Sequence, residues 1–438
     1  MANLTHTNQI VFTKVNKCRL CGSADLNVVL KLPDTPFGDR YLPPGKGANQ
    51  ANLLPLEITK CGACSNFQTS IVPDLSGMYE HYLSRPGAVN QTLSVAYSQY
   101  AEDLQAILGL SGDDLVVEIG SNDGFFASHF AQSGVKCIGI DPAQNLSQVA
   151  LDRGVKTISS FFTSAVAEDL IKVHGQAKLI VANMVVANVF DLDDFITGVK
   201  KVLAPNGIYA METNYVLDVV ENLQLEVINH EHITYFSVTS LSNFLRNYGL
   251  EVFYSRRVPA KSGALRCFIK HVGADFEAHK SVADAISFES QSGIFLDSAW
   301  KPMSMTIEHV RHVASNYFGS KQPSGVVGYG TSIGATTIIY ALEIGGFIES
   351  LVDDDPYRQG LESPGWAIPT ASKNEVFNKS KQPQFCAVLA PRYVGNIVEK
   401  SKDLIANGVT FVRVWPSLEE LPNKNWTIER PRNSAPRY

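Results

Sequence analysis

The chain of 438 residues lacks an excess of positive charge and lacks any long apolar run. Its 37 Lys and Arg are outnumbered by 43 Asp and Glu, which gives a formal net charge of −6. Because binding to a phosphate backbone needs a basic surface, we expect no nucleic-acid partner. The polar residues 1–9 show no secretory signal pattern, and no run of about 18 apolar residues could span a bilayer. We therefore expect a soluble, cytoplasmic protein with no membrane partner.

Cysteine is also scarce, yet four of the seven cysteines form two C-x-x-C pairs. The pairs are Cys18 with Cys21 and Cys61 with Cys64. In a long intracellular chain this spacing favours a metal over disulfides. Two such pairs complete a closed tetrahedral Zn²⁺ site, whose role would be structural. The alternative is four free thiols or a redox pair, although a redox pair would not need a second copy.

The chain has no G-x-G-x-x-G fingerprint, which argues against a pyrophosphate cofactor. A buried strand instead runs from Asp114 into the turn Gly120–Gly124, and the helix Phe125–Ser133 follows. The next strand, Lys136–Ile140, ends at the carboxylate of Asp141. In a doubly wound sheet these strand tips lie together at the carboxyl edge, where nucleotides bind, and an acid there can accept both ribose hydroxyls.

The turn suits S-adenosylmethionine (SAM), which has a sulfonium and an amino-acid tail but no phosphate. Later segments extend the α/β pattern: Ser159–Phe162 after the third strand, the strand Ala177–Asn183, the helix Asp193–Leu203, the strand Ile208–Glu212, and the pair Leu250–Val258 and Ala264–Val272. The predicted cofactor residues are Glu118, Gly120, Ser121, Asn122, Asp123, Gly124, Asp141, Pro142, Phe161, Phe162 and Asn183. The alternative is a Rossmann-like domain that binds NAD or nothing.

The segment His230-Glu231-His232 places two imidazoles and a carboxylate within three residues, next to Thr234 and Tyr235. Histidine suits proton transfer because its unperturbed pKa lies near neutral pH. A metal site is a rival interpretation, but no third ligand is in sight. A structural polar cluster is the other alternative.

A second strand, glycine-rich turn and helix begin within residues 324–334, and the strand Ile348–Asp353 follows. The preceding segment is apolar at helical spacing over Ser304–Tyr317. Glycines at a helix N-terminus suit anion binding, but this turn also lacks the full dinucleotide fingerprint. We leave open whether this part of the chain closes over a substrate or is purely structural.

Together these motifs resemble the sugar C-methyltransferase family, which methylates a ring carbon of nucleotide-linked deoxysugars. The resemblance covers nearly the whole chain, and the joint order of the motifs is specific to the family. The segments that carry it are the two cysteine pairs, Glu118–Gly124, Asp141-Pro142, Asn229–Ser237, Ser262–Arg266, Gly328–Ser332, Val352–Pro356 and Pro364–Pro369.

The resemblance implies a class I Rossmann-like methyltransferase core, with a small zinc-binding domain before it and a Rossmann-like α/β domain after it. We expect the zinc-binding domain at 1–75, the SAM-binding core at 76–275 and the C-terminal domain at 276–438. The implied cofactors are SAM and a structural Zn²⁺, the implied substrate is a small molecule of the nucleotide-sugar type, and we expect a monomer or homodimer.

The family's chemistry also implies residue roles. These enzymes deprotonate the carbon beside a 4-keto group, and the enolate attacks the SAM methyl. His232 is the implied base, with Glu231 orienting or charging it. The implied catalytic set is His232, Glu231, Asn229, Asn188 and Tyr82, and the implied substrate contacts are His230, Tyr235, Lys261 and Arg266.

The chain departs from the family pattern on the acceptor side. Asn229 replaces a tyrosine and Asn188 replaces a histidine, so two titratable groups have become amides, which do not transfer protons at neutral pH. The assignment of Tyr82 is ambiguous because Tyr79 lies close by. These changes leave two further hypotheses open: methyl transfer to an oxygen, nitrogen or carbon of another sugar or natural-product scaffold, and a non-catalytic SAM-binding protein.

Overall fold

A computed structural model of the chain describes residues 11–46, 52–80, 91–259, 263–321, 324–378 and 382–422. Among them it contains four β-sheets, two of them small and two of them large. No helix within these ranges is long and apolar enough to cross a membrane.

The small sheets build the N-terminal part of the chain. Strands β1 and β5 pair antiparallel, and the four-stranded sheet has the order β11-β4-β3-β2. One edge strand of this sheet, β11, comes from far along the chain. The methyltransferase segment after His232 therefore completes the sheet of the cysteine-bearing module. The bounds are β1 Phe12–Lys14, β2 Leu26–Thr35, β3 Leu54–Cys61, β4 Phe67–Thr69, β5 Ile71–Pro73 and β11 Thr234–Tyr235, with helix α1 at Ser76–Tyr79.

The seven-stranded sheet has the order β12-β13-β10-β9-β6-β7-β8. Strands β6 to β10 pair in parallel, and β13 lies antiparallel between β10 and β12. This is the arrangement of a class I methyltransferase core, and it confirms the predicted fold class and the closing antiparallel pair. The strands are β6 Leu115–Ile119, β7 Lys136–Ile140, β8 Lys156–Ile158, β9 Ala177–Asn183, β10 Leu203–Asn214, β12 Leu250–Val258 and β13 Ala264–His271.

Helices cover both faces of this sheet. They are α2 Gln91–Leu108, α3 Phe125–Gln132, α4 Ser147–Asp152, α5 Ser164–His174, α6 Leu192–Val202, α7 Val216–Glu221 and α8 Val238–Arg246. The fifth parallel strand starts before Ile208, where the sequence pattern places its first residue. Strand β10 already starts at Leu203 and passes through Pro205 and Gly207 with a register shift before Ile208, because Leu203 pairs with Ala177 of β9.

The C-terminal part of the chain forms a six-stranded sheet of order β16-β15-β14-β17-β18-β19, parallel except for β19. Its strands are β14 Val326–Tyr329, β15 Ser350–Val352, β16 Thr370–Ala371, β17 Phe385–Val388, β18 Thr410–Arg413 and β19 Glu419–Leu421. Its helices, with the two that precede it, are α9 Lys280–Gln291, α10 Lys301–Lys321, α11 Ile333–Ala341, α12 Lys373–Phe377, α13 Val394–Lys400 and α14 Lys402–Ala406.

The hydrophobic core is continuous across all three parts. One cluster of buried side chains includes Leu32 of the cysteine-bearing module, Phe195 of the methyltransferase core and Ile338 of α11. The three parts therefore pack as one body around the segment that carries His230, Glu231 and His232.

Candidate active site and zinc centre

The four N-terminal cysteines converge on one point. Their sulfur atoms all lie within 4.8 Å of one another, with Cys18 Sγ 3.5 Å from Cys64 Sγ and Cys21 Sγ 3.6 Å from Cys61 Sγ. Zn–S bonds of about 2.3 Å in a tetrahedron place sulfurs about 3.8 Å apart, so four thiolates in this arrangement fit a closed Zn²⁺ site. Within the described residues they are the only such cluster of metal-ligating side chains.

The first glycine-rich turn has the backbone geometry that its sequence requires. Gly120 and Gly124 have φ of 72° and 71°, and Asn122 has φ of 49°. A Cβ on Gly120 would lie 2.2 Å from Cγ2 of Val185, so this position admits no side chain. The turn thus brings its backbone close to the ends of β6 and β9.

The acids around this turn have different partners. Asp141, 8% exposed, accepts hydrogen bonds from the backbone N–H of Asn122 and of Ala143, both at 2.8 Å. Burial raises the pKa of Asp141, and these two hydrogen bonds partly offset the increase. Burial also raises the pKa of Glu118, which accepts from the Ala127 N–H at 2.9 Å. Asp141 is therefore the acid held at the tip of β7.

Asp123 is engaged within the fold. Its carboxylate pairs with Arg153 at 2.9 Å and accepts from the Phe125 N–H at 3.3 Å. This predicted cofactor residue therefore fixes the start of α3. The neighbouring Ser121 is buried, and Pro142 follows directly after Asp141.

Two features at this edge fit SAM. Both amide atoms of Asn183, at the end of β9, are buried without a hydrogen-bond partner in the described structure, so they can serve a polar ligand. Phe161 is 43% exposed and makes an edge contact with Tyr79 at 6.2 Å between ring centroids. Phe162 instead packs on Phe195 at 5.4 Å. Of the two predicted adenine contacts, Phe161 is the accessible one.

His232 is held by groups of the methyltransferase core. Its Nδ1 lies 2.6 Å from the carbonyl oxygen of Val227, a distance that requires Nδ1 to carry the proton and donate it. Its Nε2 then carries the lone pair, and the amide Nδ2 of Asn214 lies 3.3 Å from it. The side chain is partly exposed, and these contacts fix the orientation of the ring.

The side chains of His230 and Glu231 have other surroundings. His230 Nε2 lies 3.2 Å from the carbonyl oxygen of Pro55 in β3, and burial lowers the pKa of His230 to about 4. Burial raises the pKa of Glu231 well above its usual range, and the charges that act on it are Asp39 and Arg358. Three consecutive residues thus face three different parts of the protein.

Asn229 bonds to the backbone on both sides of Glu231. Its Oδ1 accepts from the backbone N–H of Glu231 at 3.0 Å and of His232 at 3.2 Å, and its Nδ2 donates at 3.1 Å to the Val227 carbonyl, which His232 Nδ1 also contacts. The role of Glu231 as the group that orients or charges His232 stays a prediction.

Two residues near this centre were missed or ambiguous in the sequence. Tyr79 Oη lies 3.4 Å from Nδ2 of Asn188, which identifies it as a tyrosine next to this amide. Asn214 is the last residue of β10, and its position beside His232 follows from the tertiary pairing of β10 alone. Tyr82 and Lys261, predicted for catalysis and substrate binding, lie outside the described residues.

The remaining predicted substrate contacts are engaged within the protein. Arg266 donates to Oε2 of Glu212 through Nε at 3.0 Å and Nη2 at 2.7 Å, and its guanidinium stacks on the ring of Tyr100. Tyr235 is buried in β11 as part of the core. Both residues lie near the carboxyl edge of the sheet or its flank, but the contacts that the structure shows are internal.

The helix that follows the second glycine-rich turn packs closely against the rest of the chain. A Cβ on Gly334 would lie 2.5 Å from both Cβ and the carbonyl oxygen of Glu226. The Thr336 hydroxyl donates to the carbonyl oxygen of Gly38 at 3.1 Å. These contacts hold α11 against the other two parts of the protein.

Sequence comparisons agree with this architecture. Residues 18–79 match a zinc binding domain, residues 94–255 a methyltransferase domain and residues 259–416 a C-methyltransferase C-terminal domain. The chain is 30% identical over 410 residues to the C-methyltransferase NovU of Streptomyces niveus, across 92% of this chain and 96% of NovU.

Solved structures match smaller parts of the chain. The mitomycin 7-O-methyltransferase MmcR is 15% identical, with 42% of this chain and 55% of MmcR covered and a TM-score of 0.33. The 1,6-didemethyltoxoflavin-N1-methyltransferase of Burkholderia thailandensis is 16% identical, with 48% and 97% covered and a TM-score of 0.31. From the domain matches and the full-length relative, this chain belongs to the family of SAM-dependent C-methyltransferases that carry a zinc-binding domain at the N-terminus.

Proposed function

We propose that this enzyme methylates a carbon next to the keto group of a nucleotide-linked deoxysugar, with His232 as the general base. The observation that carries the proposal is the tautomer of His232. Its Nδ1–H is committed to the Val227 carbonyl at 2.6 Å, so Nε2 is the proton acceptor. An imidazole oriented in this way, with Nε2 as the acceptor, is suited to abstraction of a proton beside a carbonyl.

The proposed reaction is a proton transfer to His232 followed by formation of a carbon–carbon bond. His232 Nε2 takes the proton from the carbon next to the keto group, and the electron pair of that C–H bond becomes the enolate. The enolate carbon then attacks the methyl carbon. Bound SAM would supply this electrophilic methyl group, with its demethylated sulfide as the leaving group. The Val227 carbonyl stabilises the imidazolium that forms on His232, because it accepts from Nδ1–H in both protonation states.

The proposed cofactor position is the turn Gly120–Gly124, with Asp141 on the ribose hydroxyls and Phe161 beside the adenine. The paired backbone hydrogen bonds to Asp141 support this position, since they aim the carboxylate at the tip of β7. The unpartnered amide atoms of Asn183 support it from the end of the neighbouring strand β9.

Methyl transfer to oxygen or nitrogen remains the competing proposal, and it rests on Asn188. Its amide contacts Tyr79 Oη at 3.4 Å, so this pair offers hydrogen bonds to an acceptor but no proton acceptor that is basic near neutral pH. An acceptor that is already nucleophilic would need no carbon deprotonation and hence no base at His232.

A single variant series tests the proposal. Labelled SAM and a panel of nucleotide-linked 4-keto sugars identify the acceptor, and NMR of the product identifies the methylated atom. His232→Asn should bind SAM normally and lose roughly 10²–10⁴ in turnover, the usual contribution of a general base. His309→Asn, at an exposed histidine of α10, is the matched control. Near-normal turnover of His232→Asn, or a methyl group on oxygen or nitrogen, would refute the proposed mechanism.

A further inference from the structure

The zinc-binding module touches the proposed active site through Arg19, which lies inside the first cysteine pair, between Cys18 and Cys21. Its guanidinium donates through Nη2 to the carbonyl oxygens of Val189 and Phe190, the latter at 2.9 Å. Its Nε donates to Thr234 Oγ1 at 3.1 Å. One side chain thus joins two segments of the methyltransferase core that are more than forty residues apart in sequence.

These two segments carry the groups proposed for catalysis. The carbonyls of Val189 and Phe190 directly follow Asn188, and Thr234 comes two residues after His232. The segments also bond to each other, because the Ile233 N–H donates to the Ala187 carbonyl at 2.8 Å. Arg19 therefore closes a ring of contacts whose other members support Asn188 and His232.

The backbone of the cysteine pair is fixed to the same region. The Arg19 N–H donates to Oε1 of Gln68 at 2.9 Å, and Gln68 is the strand partner of Thr234 where β4 pairs with β11. Gln68 also donates to the Lys17 carbonyl at 3.3 Å. The position of Arg19 is thus determined by the cysteine pair on one side and by β4 on the other.

We propose that Arg19 is a positioning residue for methyl transfer, which couples the zinc site to the segments Ala187–Phe190 and Ile233–Thr234. The guanidinium suits this task because its planar fork bonds two carbonyls and a hydroxyl at once, which an ammonium on a flexible stem cannot do in the same geometry. The zinc site then affects the reaction although its closed four-sulfur set leaves no position for substrate. The catalytic part of this inference rests on the proposed role of His232.

Hydrogen exchange, followed by mass spectrometry, tests the bracing without any acceptor. In Arg19→Ala we expect faster exchange in peptides that cover Ala187–Phe190 and Ile233–Thr234, with zinc content and SAM affinity unchanged. Lys17→Ala, which removes an exposed cation one residue before Cys18, should leave exchange as in the wild type. Unchanged exchange in Arg19→Ala with zinc retained would overturn the proposal.

Kinetics then test the coupling to the reaction. Arg19→Ala should lower kcat by about tenfold to hundredfold, since small displacements of catalytic groups cost that much, with a smaller change in the KM for the acceptor. Arg19→Lys should recover only part of kcat. If Arg19→Ala loses its zinc, then Arg19→Lys decides: wild-type exchange and wild-type kcat in a zinc-loaded Arg19→Lys would overturn the proposal.

The two proposals can fail separately. Normal turnover of His232→Asn together with faster exchange in Arg19→Ala would remove His232 as the base and leave the bracing by Arg19 intact. Lost turnover of His232→Asn with unchanged exchange and unchanged kcat in Arg19→Ala would do the reverse.

Discussion

The two glycine-rich turns of this protein have similar local designs and different surroundings. Each joins a parallel strand to a helix, and each lies beside an acid at the tip of the next strand. Asp141 accepts from the Asn122 N–H at 2.8 Å in the first turn, and Asp353 accepts from the Thr331 N–H at 2.9 Å in the second. The local hydrogen bond is therefore the same in both.

The difference lies in what packs on each turn. The missing Cβ of Gly120 makes room for Val185, which lies just after strand β9. Gly120 itself is partly exposed, at the edge that carries Asn183 and Phe161. The missing Cβ of Gly334 makes room for the backbone of Glu226. A strand–turn–helix motif thus produces a sheet edge that is suited to a ligand. Another part of the same chain can instead pack on that edge.

Removal of the zinc should have the largest effect, and it should disturb the second glycine-rich turn more than the first. The module that holds Cys61 also packs on the second turn, through Gly38 with Thr336 and through the pair of Asp39 with Arg358 at 2.6 Å. Closed structural zinc sites supply folding free energy directly. We expect Cys61→Ser to lower the zinc content below one per chain and to lower the Tm by many degrees, with faster hydrogen exchange in α11.

Cys137→Ser, at a half-buried cysteine outside the cluster, is the control and should keep one zinc per chain. A chain that carries much less than one zinc when freshly purified, and whose Tm is unaffected by Cys61→Ser, would disprove the zinc assignment.

The two acids provide the next comparison. Asp141→Ala should lose about 1.5–3 kcal/mol of SAM binding free energy in calorimetry, the range for hydrogen bonds to a charged group. Asp353→Ala should leave SAM affinity unchanged and reduce the free energy of unfolding, because it removes the acceptor of the Thr331 N–H. Equal losses of SAM affinity in the two variants would show that the turns do not differ as proposed.

The two glycines test the packing itself. Gly334→Ala should reduce the free energy of unfolding by about 1–3 kcal/mol, because the new methyl meets backbone that cannot rotate away. Gly319→Ala in α10, whose Cβ would meet Phe347 at an ordinary 3.7 Å, is the control and should be neutral or stabilising. Denaturant titration measures both variants, and similar unfolding free energies would contradict the close-packing role of Gly334.

A pH titration of SAM binding should show the smallest effect. Burial raises the pKa of Asp141, so this carboxyl takes up a proton at a higher pH than an ordinary aspartate as the solution is acidified. Protonation removes acceptor capacity for the ribose hydroxyls, so SAM affinity should fall as the solution is acidified through the raised pKa of Asp141. Asp141→Asn should bind more weakly with a flatter pH profile, and an equally steep profile would exclude Asp141 as the titrating group.

The sequence predicted the methyltransferase sheet well because its strands are continuous apolar runs that end in recognisable turns. Strands β7 and β9 have the predicted bounds, and the pair β12 and β13 closes the sheet as expected. The start of β10 was mistaken, since a proline and a glycine within a strand indicate a turn unless the pairing with β9 is known. The domain boundaries at 75 and 275 stay predictions.

The active-site segment shows where sequence reasoning stops. The motif His230-Glu231-His232 marks the segment that we propose for catalysis, but spacing could not tell how each imidazole is surrounded. His230 is buried against Pro55, and the Val227 carbonyl orients His232. The residues that adjoin them, Asn214 and Arg19, are distant in sequence and belong to no local motif.

The sequence by itself determined the cofactor class, the zinc ligands and the methyltransferase fold, because these depend on local features: cysteine spacing, positive φ in a glycine-bearing turn and apolar strand runs. Only the tertiary structure decided what packs against each of the two glycine-rich segments, which of the two histidines is buried against β3, and that Arg19 of the zinc module bonds to the segments next to Asn188 and His232. These depend on contacts between segments far apart in the chain, and such contacts leave no periodic pattern in the sequence.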